Sequence, residues 1–325
     1  MYFPKTFSYD GISATFDPDE KSAENLHWTA KVKIRGYESE LTLEGPINKE
    51  ADIWVDEKQI GKKAISLCKS NLQKCVRRKE CDKAIRTAYA IYTQSPSEAL
   101  RRIPIIMIED TLPHPASFCK LVWWMAAVSK GYRMTRKEVS EMLGVIASMC
   151  ETETYEVCEL SEDKPPDWCE LSRDQQDFMW ALELRKEYGG MLVDKKMLTY
   201  HQHLWHERLS REQNKWWNLL NDLNTYDIDP SDLGEFDKED ILLESLDFHC
   251  FGFLPQKIAT KVGLTEEEVK TAIWVCRSRI NMRKPLNEKV FIPADSKTEK
   301  NYVKIDKELT RFTTWLLNEL VLKDR

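Results

Sequence analysis

Apolar and polar residues alternate with period two through the first part of the chain, and the period lengthens to a helical one near Asp56. From Thr29 to Ile34, residues Ala30, Val32 and Ile34 share one side, and Ser39 to Leu43 alternates in the same way. With Gly36-Tyr37 between them, the two runs predict a hairpin. Ile12 to Phe16 and Ile53 to Val55 are candidate edge strands. Residues 1–56 therefore read as a small antiparallel sheet, too small to be stable unless it packs on something else.

Beyond Asp56, Ile60, Ala64, Leu67, Cys68, Leu72 and Cys75 make one helical face, with Lys58, Lys62, Lys63, Lys69 and Lys74 mostly away from it. Ala84, Ile85, Ala88, Ile91 and Tyr92 make a second face. Ser95-Pro96-Ser97-Glu98 reads as a capping box with proline in the first turn, and Pro104 should break or kink the helix it opens. His114-Pro115 opens an apolar helix through Trp123, Trp124 and Val128, which Gly131 ends. Thr135 and Glu138 form a second capping box, opening a helix to about Cys150. An acidic loop at 151–170 contains Pro165-Pro166. Helices resume at 173–188 and 195–223, then come a second acidic loop at 222–240, a helix pair at 255–280, a linker at 283–300, and an amphipathic helix carrying Leu309, Phe312, Leu316 and Leu320.

The fold class read from this pattern is mainly α, an irregular helical array with a small N-terminal antiparallel β-sheet. Its expected divisions are 1–56 (β), 57–152 (basic, helical), 153–170 (acidic linker), 171–282 (second helical domain) and 283–325 (linker and last helix).

Composition narrows the setting. Hydrophobic residues at 42% suffice for a core, and apolar runs such as Leu121 to Val128 are too short to span a bilayer. The first residues lack the apolar stretch of a signal peptide. Nine cysteines, an odd number with no CxxC spacing, read as reduced thiols. The expectation is an intracellular protein, in cytoplasm or nucleus, with no membrane contact. Net charge is -6 but uneven: residues 1–56 hold 6 Lys+Arg against 11 Asp+Glu, whereas residues 57–108 hold 12 against 4, a net of +8. That block has its own positive field, suited to a polyanion or to an acidic protein.

Candidate chemistry is sparse. No P-loop, GxGxxG, GxSxG or HExxH occurs, so no cofactor is expected. His201, His203 and His206 are spaced so that only His203 and His206 share a helix face, a weak basis for a metal site. Asp227 to Ser231 has no glycine at the sixth loop position and no glutamate at the twelfth, and is rejected as a calcium loop. Ile258 to Val269 has helix-turn-helix spacing around Gly263, yet Glu266, Glu267 and Glu268 put negative charge where DNA phosphate would sit, which favours a structural helix pair. Arg101 and Arg102 precede an apolar run that ends in Glu109-Asp110; these four read as structural ion pairs, with a carboxylate site including His114 as the alternative. Trp123-Trp124 and Trp216-Trp217 read first as core and second as interface.

The segment EKQIGKKAISLCKSNLQKCVRRKECDKAIRTAYAIYTQSPSEALRRIPIIMIEDTLPHP, from a basic helix through an Ala-rich helix to an Arg pair and Glu-Asp, resembles the C-terminal collar-type helical part of AAA+ replication and recombination factors. Residues 245–280 are similar to C-terminal segments of proteins from large DNA viruses. Together the resemblances cover about a third of the chain, and the motor of that family is absent. They imply a helical scaffold associated with replication or repair, without ATP-driven remodelling. The functional expectation is a non-catalytic accessory that contacts DNA or RNA phosphates through Lys62, Lys63, Lys69, Lys74, Arg77, Arg78 and Lys79. The alternatives are a protein-interaction module, whose basic block meets an acidic partner or the chain's own acidic loops, and an unrecognised enzyme near Glu109 and Asp110.

Overall fold

The computed structural model describes residues 3–17, 19, 26–44, 53–286 and 295–322. Eleven α-helices and a four-stranded sheet are found among them, so the fold is predominantly α. Part of the expected linker, 287–294, lies outside the described residues. The chain divides into two compact units that do not follow the linear segments read above. One comprises 1–55, 100–145 and 158–229; the other comprises 56–99, 146–157 and 230–325.

The first unit holds the sheet. Its strands are β1 (Thr6–Tyr9), β2 (Ala14–Asp17), β3 (Leu26–Ile34) and β4 (Tyr37–Glu44), in the order β2-β1-β4-β3. The expected β3–β4 hairpin forms, with Val32 and Ile34 buried. Its turn is Arg35-Gly36, both left-handed at φ 51 and 84, as a two-residue turn matched to strand twist requires. The sheet is mixed rather than antiparallel, because β1 lies parallel to β4 with Phe7 beside Leu41. Period-two reading passed over β1, a central strand whose four residues are all buried and so show no alternation. Ile53 contributes one bridge to Thr135, not an edge strand.

The apolar helix α4 (Pro115–Val128) and helix α6 (Arg173–Glu187) pack against this sheet. Trp123 Nε1 donates to Phe7 O at 2.9 Å, and Phe7 stacks on Phe16 at 3.7 Å between centroids. The α4 tryptophan pair is thus core. Helix α3 (Pro96–Asp110) runs through Pro104 without ending. Proline removes one backbone donor there, but Ile103 to Ile108 are almost wholly buried, and their burial holds the helix. The expected helix at 195–223 is two, α7 (Leu192–Arg211) and α8 (Gln213–Asn221), with the break at Glu212.

The second unit is built on α1 (Ile65–Arg77) and α2 (Cys81–Gln94), which pack along one another. The apolar face read from the sequence, Ile60 through Cys75, is buried throughout. At the other end of the unit, α9 (Leu254–Val262), α10 (Glu266–Ile273) and α11 (Ser296–Glu319) enclose a core of Leu254, Ile258, Ala259, Val269, Ala272, Ile273, Ile305 and Leu309. Gly263 turns the α9–α10 pair at φ 70, where a Cβ would be strained.

Candidate functional site

The seven predicted phosphate contacts all lie in the second unit, at the start of α1, along it and in the turn that follows. The structure does not hold them as one exposed surface. Lys62 and Lys63 are exposed. Lys69 pairs with Glu98 at 2.6 Å, and Ser95 N donates to Ile91 O at 2.8 Å rather than to the Glu98 side chain, as the expected capping box would require. Lys79, left-handed at φ 61, pairs with Glu153. Lys74 and Arg77 are 3% and 4% exposed, and this overturns the placing of Lys74 off the apolar face.

Lys74 meets Asp247 at 3.1 Å inside the protein. Asp247 also accepts from Ser278 Oγ at 3.0 Å and from His249 N at 2.9 Å. Burial pushes the Asp247 carboxyl up, but the hydrogen-bonded His249 and the Lys74 ammonium outweigh it and hold the group well below the carboxylate range. Arg77 donates to Ser278 O at 3.0 Å and lies over the Trp274 ring. Arg78 donates to Arg277 O at 2.7 Å and lies 3.7 Å from Glu244.

These carboxylates belong to the stretch 230–247, which carries seven Asp+Glu and one Lys. It follows the edge of α1 and α2 as three short 3-10 turns, at Pro230–Asp232, Lys238–Asp240 and Leu243–Ser245. Arg86 pairs with Asp240 at 2.6 Å, and Lys83 donates to Glu239 O at 2.6 Å. Asn71, fully buried, fastens the stretch. Its Nδ2 donates to Asp240 O and Thr87 Oγ1, while its Oδ1 accepts from Leu242 N and Ser245 Oγ. The basic block and the acidic loop thus neutralise each other within one unit. A cavity of about 290 Å³ opens beside them, and it is lined by both signs, including Lys83, Arg86, Glu235 and Asp237. Arg86 is paired with Asp240 there, and four carboxylates line the cavity against two cations, so it offers a polyanion little uncompensated charge. Asn71 was missed because an isolated buried asparagine has no pattern; its only signal is its place on the stripe shared by Leu67 and Lys74.

The other candidates lie apart. In the first unit, Arg101 donates to Tyr188 O at 3.0 Å, closing the end of α6 rather than forming a visible ion pair. Asp110 is buried at 2%, and none of Arg102, Glu109 and Asp110 is without a partner. His114 caps α4, accepting from Ser117 N at 3.2 Å. His201 is fully buried, and desolvation pushes its imidazole down to about 3. Trp205 Nε1 donates to its Nδ1 at 3.2 Å, and Cys158 Sγ lies 2.9 Å from its Nε2. Because an indole N–H only donates, Nδ1 is the bare nitrogen and Nε2 carries the proton. His201 therefore has no lone pair with which to take the Cys158 proton, and the pair lacks the base of a nucleophilic dyad. His203 and His206 are half-buried, and no group of three His, Cys, Asp or Glu suited to a metal forms among the described residues.

In the α9–α10 pair, Thr265 and Glu268 form the expected capping box, and Glu268 also pairs with Lys297 at 2.9 Å. No helix among the described residues is long and apolar enough to cross a membrane. Comparison with known protein families, with curated proteins and with solved structures finds no match to this chain.

Proposed function

We propose that the chain is a non-catalytic helical scaffold that acts by binding protein partners, with its basic block serving the fold rather than a nucleic acid. The observation that supports this reading best is the use of the block's charge inside the second unit. Lys74 and Arg77 are buried, and Lys69, Arg78 and Lys79 face Glu98, Glu244 and Glu153. A phosphate would have to displace these carboxylates and unpack α1. The face offered to a partner is aromatic. Phe253 and Trp315 are 45% and 50% exposed, Phe312 lies between them, and Lys257 lies over the Phe253 and Phe312 rings at 5.1 Å. Aromatic residues are enriched at protein interfaces, and tryptophan is among the residue types that most often carry the binding energy there. Any part in replication or repair would run through such a partner.

Two measurements test the reading. Titration of the intact protein against single- and double-stranded DNA and RNA at low salt should show no saturable binding. Saturable binding with a log-log salt slope of about -4 to -5 would restore the nucleic-acid reading. Quantitative affinity capture with the wild type and with Phe253→Ser/Trp315→Ser should give partners that the double variant loses. Equal recovery by both proteins counts against the aromatic face.

A further inference from the structure

The aromatic face of the second unit carries positive charge of its own. Phe251, Phe253, Phe312 and Trp315 form a continuous row, with successive ring centroids 6.0, 6.1 and 5.3 Å apart. Phe253 directly precedes α9, and Lys257 lies in the first turn of that helix. Phe312 and Trp315, three residues apart, are neighbours on the surface of α11. Phe251 and Phe312 are half-buried against the core that α9, α10 and α11 enclose, whereas Phe253 and Trp315 stand out from it.

The cations lie among and around these rings. The Lys257 ammonium is 5.1 Å from the centroids of both Phe253 and Phe312, and no carboxylate among the described residues pairs with it. Arg311 is exposed, next to Phe312 and one turn before Trp315. Lys238 Nζ donates to Asn318 O at 2.7 Å, three residues beyond Trp315. The acidic residues here are Glu308, already paired with Lys261 at 3.0 Å, and Glu319. Four cations thus stand against two carboxylates, in a chain whose net charge is -6. The positive excess is local to this face.

Resting on the reading of this face as the partner surface, we propose that its partner is an acidic peptide segment, whose apolar side chains pack on the row of rings and whose carboxylate meets Lys257. Rings attract an ammonium through their quadrupoles but give it no oxygen acceptor. An apolar segment that covers the row also excludes water from Lys257. The ammonium then becomes a buried charge, which is costly unless a carboxylate arrives with the segment. A basic segment would bury like charges together, so the same desolvation rejects it. A single-stranded nucleic acid fits less well, because its bases would stack on ring faces, and Lys257 already lies over two of them.

The test selects a phage-displayed library of random peptides on the intact protein, in parallel on wild type, Phe253→Ser/Trp315→Ser and Lys257→Glu, and sequences the enriched pools. The wild-type pool should be rich in Asp and Glu beside Phe, Trp or Leu, and the double variant should lose those sequences. The Lys257→Glu pool should lose the acidic excess. A synthetic peptide from the wild-type pool should bind Lys257→Glu at least about tenfold more weakly in fluorescence anisotropy, since one close charge pair is worth that much. Enriched sequences that need the rings but carry no acidic excess overturn this inference and leave the partner surface standing. Identical pools on wild type and double variant, or no enrichment, remove the surface and the inference together. Saturable binding of a single-stranded oligonucleotide that the double variant loses puts a nucleic acid in place of the acidic peptide. Lys257 is exposed, so its substitution leaves the core intact, and its pool decides the sign of the partner even if the double variant unfolds.

Discussion

Asp177, on α6, is a carboxylate that the fold holds out of water. It is 4% exposed and accepts from Phe16 N at 3.0 Å, with Arg173 Nε 3.6 Å away. Desolvation outweighs those two contacts, and the neighbouring Asp17 and Asp174 add to it, so the group is pushed up to about 7. In the unfolded chain it ionises near the ordinary aspartate value of 3.8. Across that window the folded state binds more protons, so this group's contribution to stability declines as pH rises from about 4 to about 7, by about 1.4 kcal/mol for each pH unit of displacement. Asp177→Asn keeps an acceptor for Phe16 N–H and removes the titration. Denaturant unfolding at pH 5 and pH 8 should show the wild type losing more stability over that interval than the variant. Equal losses would mean that the ionised Asp177 is relieved by solvent or by Arg173. Its carboxyl is identifiable in the sequence, but its burial is not, since the sheet that covers it comes from residues 161 positions earlier.

Helix α1 shows how far a single element could be read. Lys74 stands seven residues, about two turns, after Leu67, so the spacing itself places it on the buried stripe. Treating every lysine as surface missed this. What spacing could not supply is Asp247, whose carboxylate makes a lysine at that position tolerable. A buried pair of this kind adds little net stability, but removing one partner strands the other charge. Asp247→Ala should destabilise the protein by about 3–5 kcal/mol in denaturant unfolding. Lys74→Met should cost less, because Asp247 would keep Ser278 Oγ and His249 as donors. If Lys74→Met proves the more damaging of the two, the ammonium is held by something other than Asp247. Elements bounded by local chemistry were legible without such help: Thr135–Glu138 and Thr265–Glu268 form the capping boxes their spacing predicts.

At the scale of the whole chain, the positive charge that the sequence concentrates after position 57 is met, inside the second unit, by carboxylates from far along the chain. The basic residues after position 57 and the acidic residues after position 230 are far apart in the chain and adjacent in the second unit. The cysteines follow the same logic of burial. All nine are free thiols, four of them buried in the helical cores. Denaturation without reductant and with an alkylating label should therefore modify nine thiols in protein not exposed to oxidant. A count of eight or fewer in such a sample would mean that a thiol is already blocked.

By itself, the sequence determined that the protein is mainly helical, that a β-hairpin precedes the helices, where most helices start and stop, and that the Ile60–Cys75 face is core. Those features rest on periodicity, caps and turn residues, which act over a few positions. Only the tertiary structure decided that the sheet is mixed, that Pro104 is carried inside a helix, and that Lys74 and Arg77 are interior. Each of these depends on a partner tens to hundreds of residues away, and long-range pairing leaves no period in the sequence of either partner.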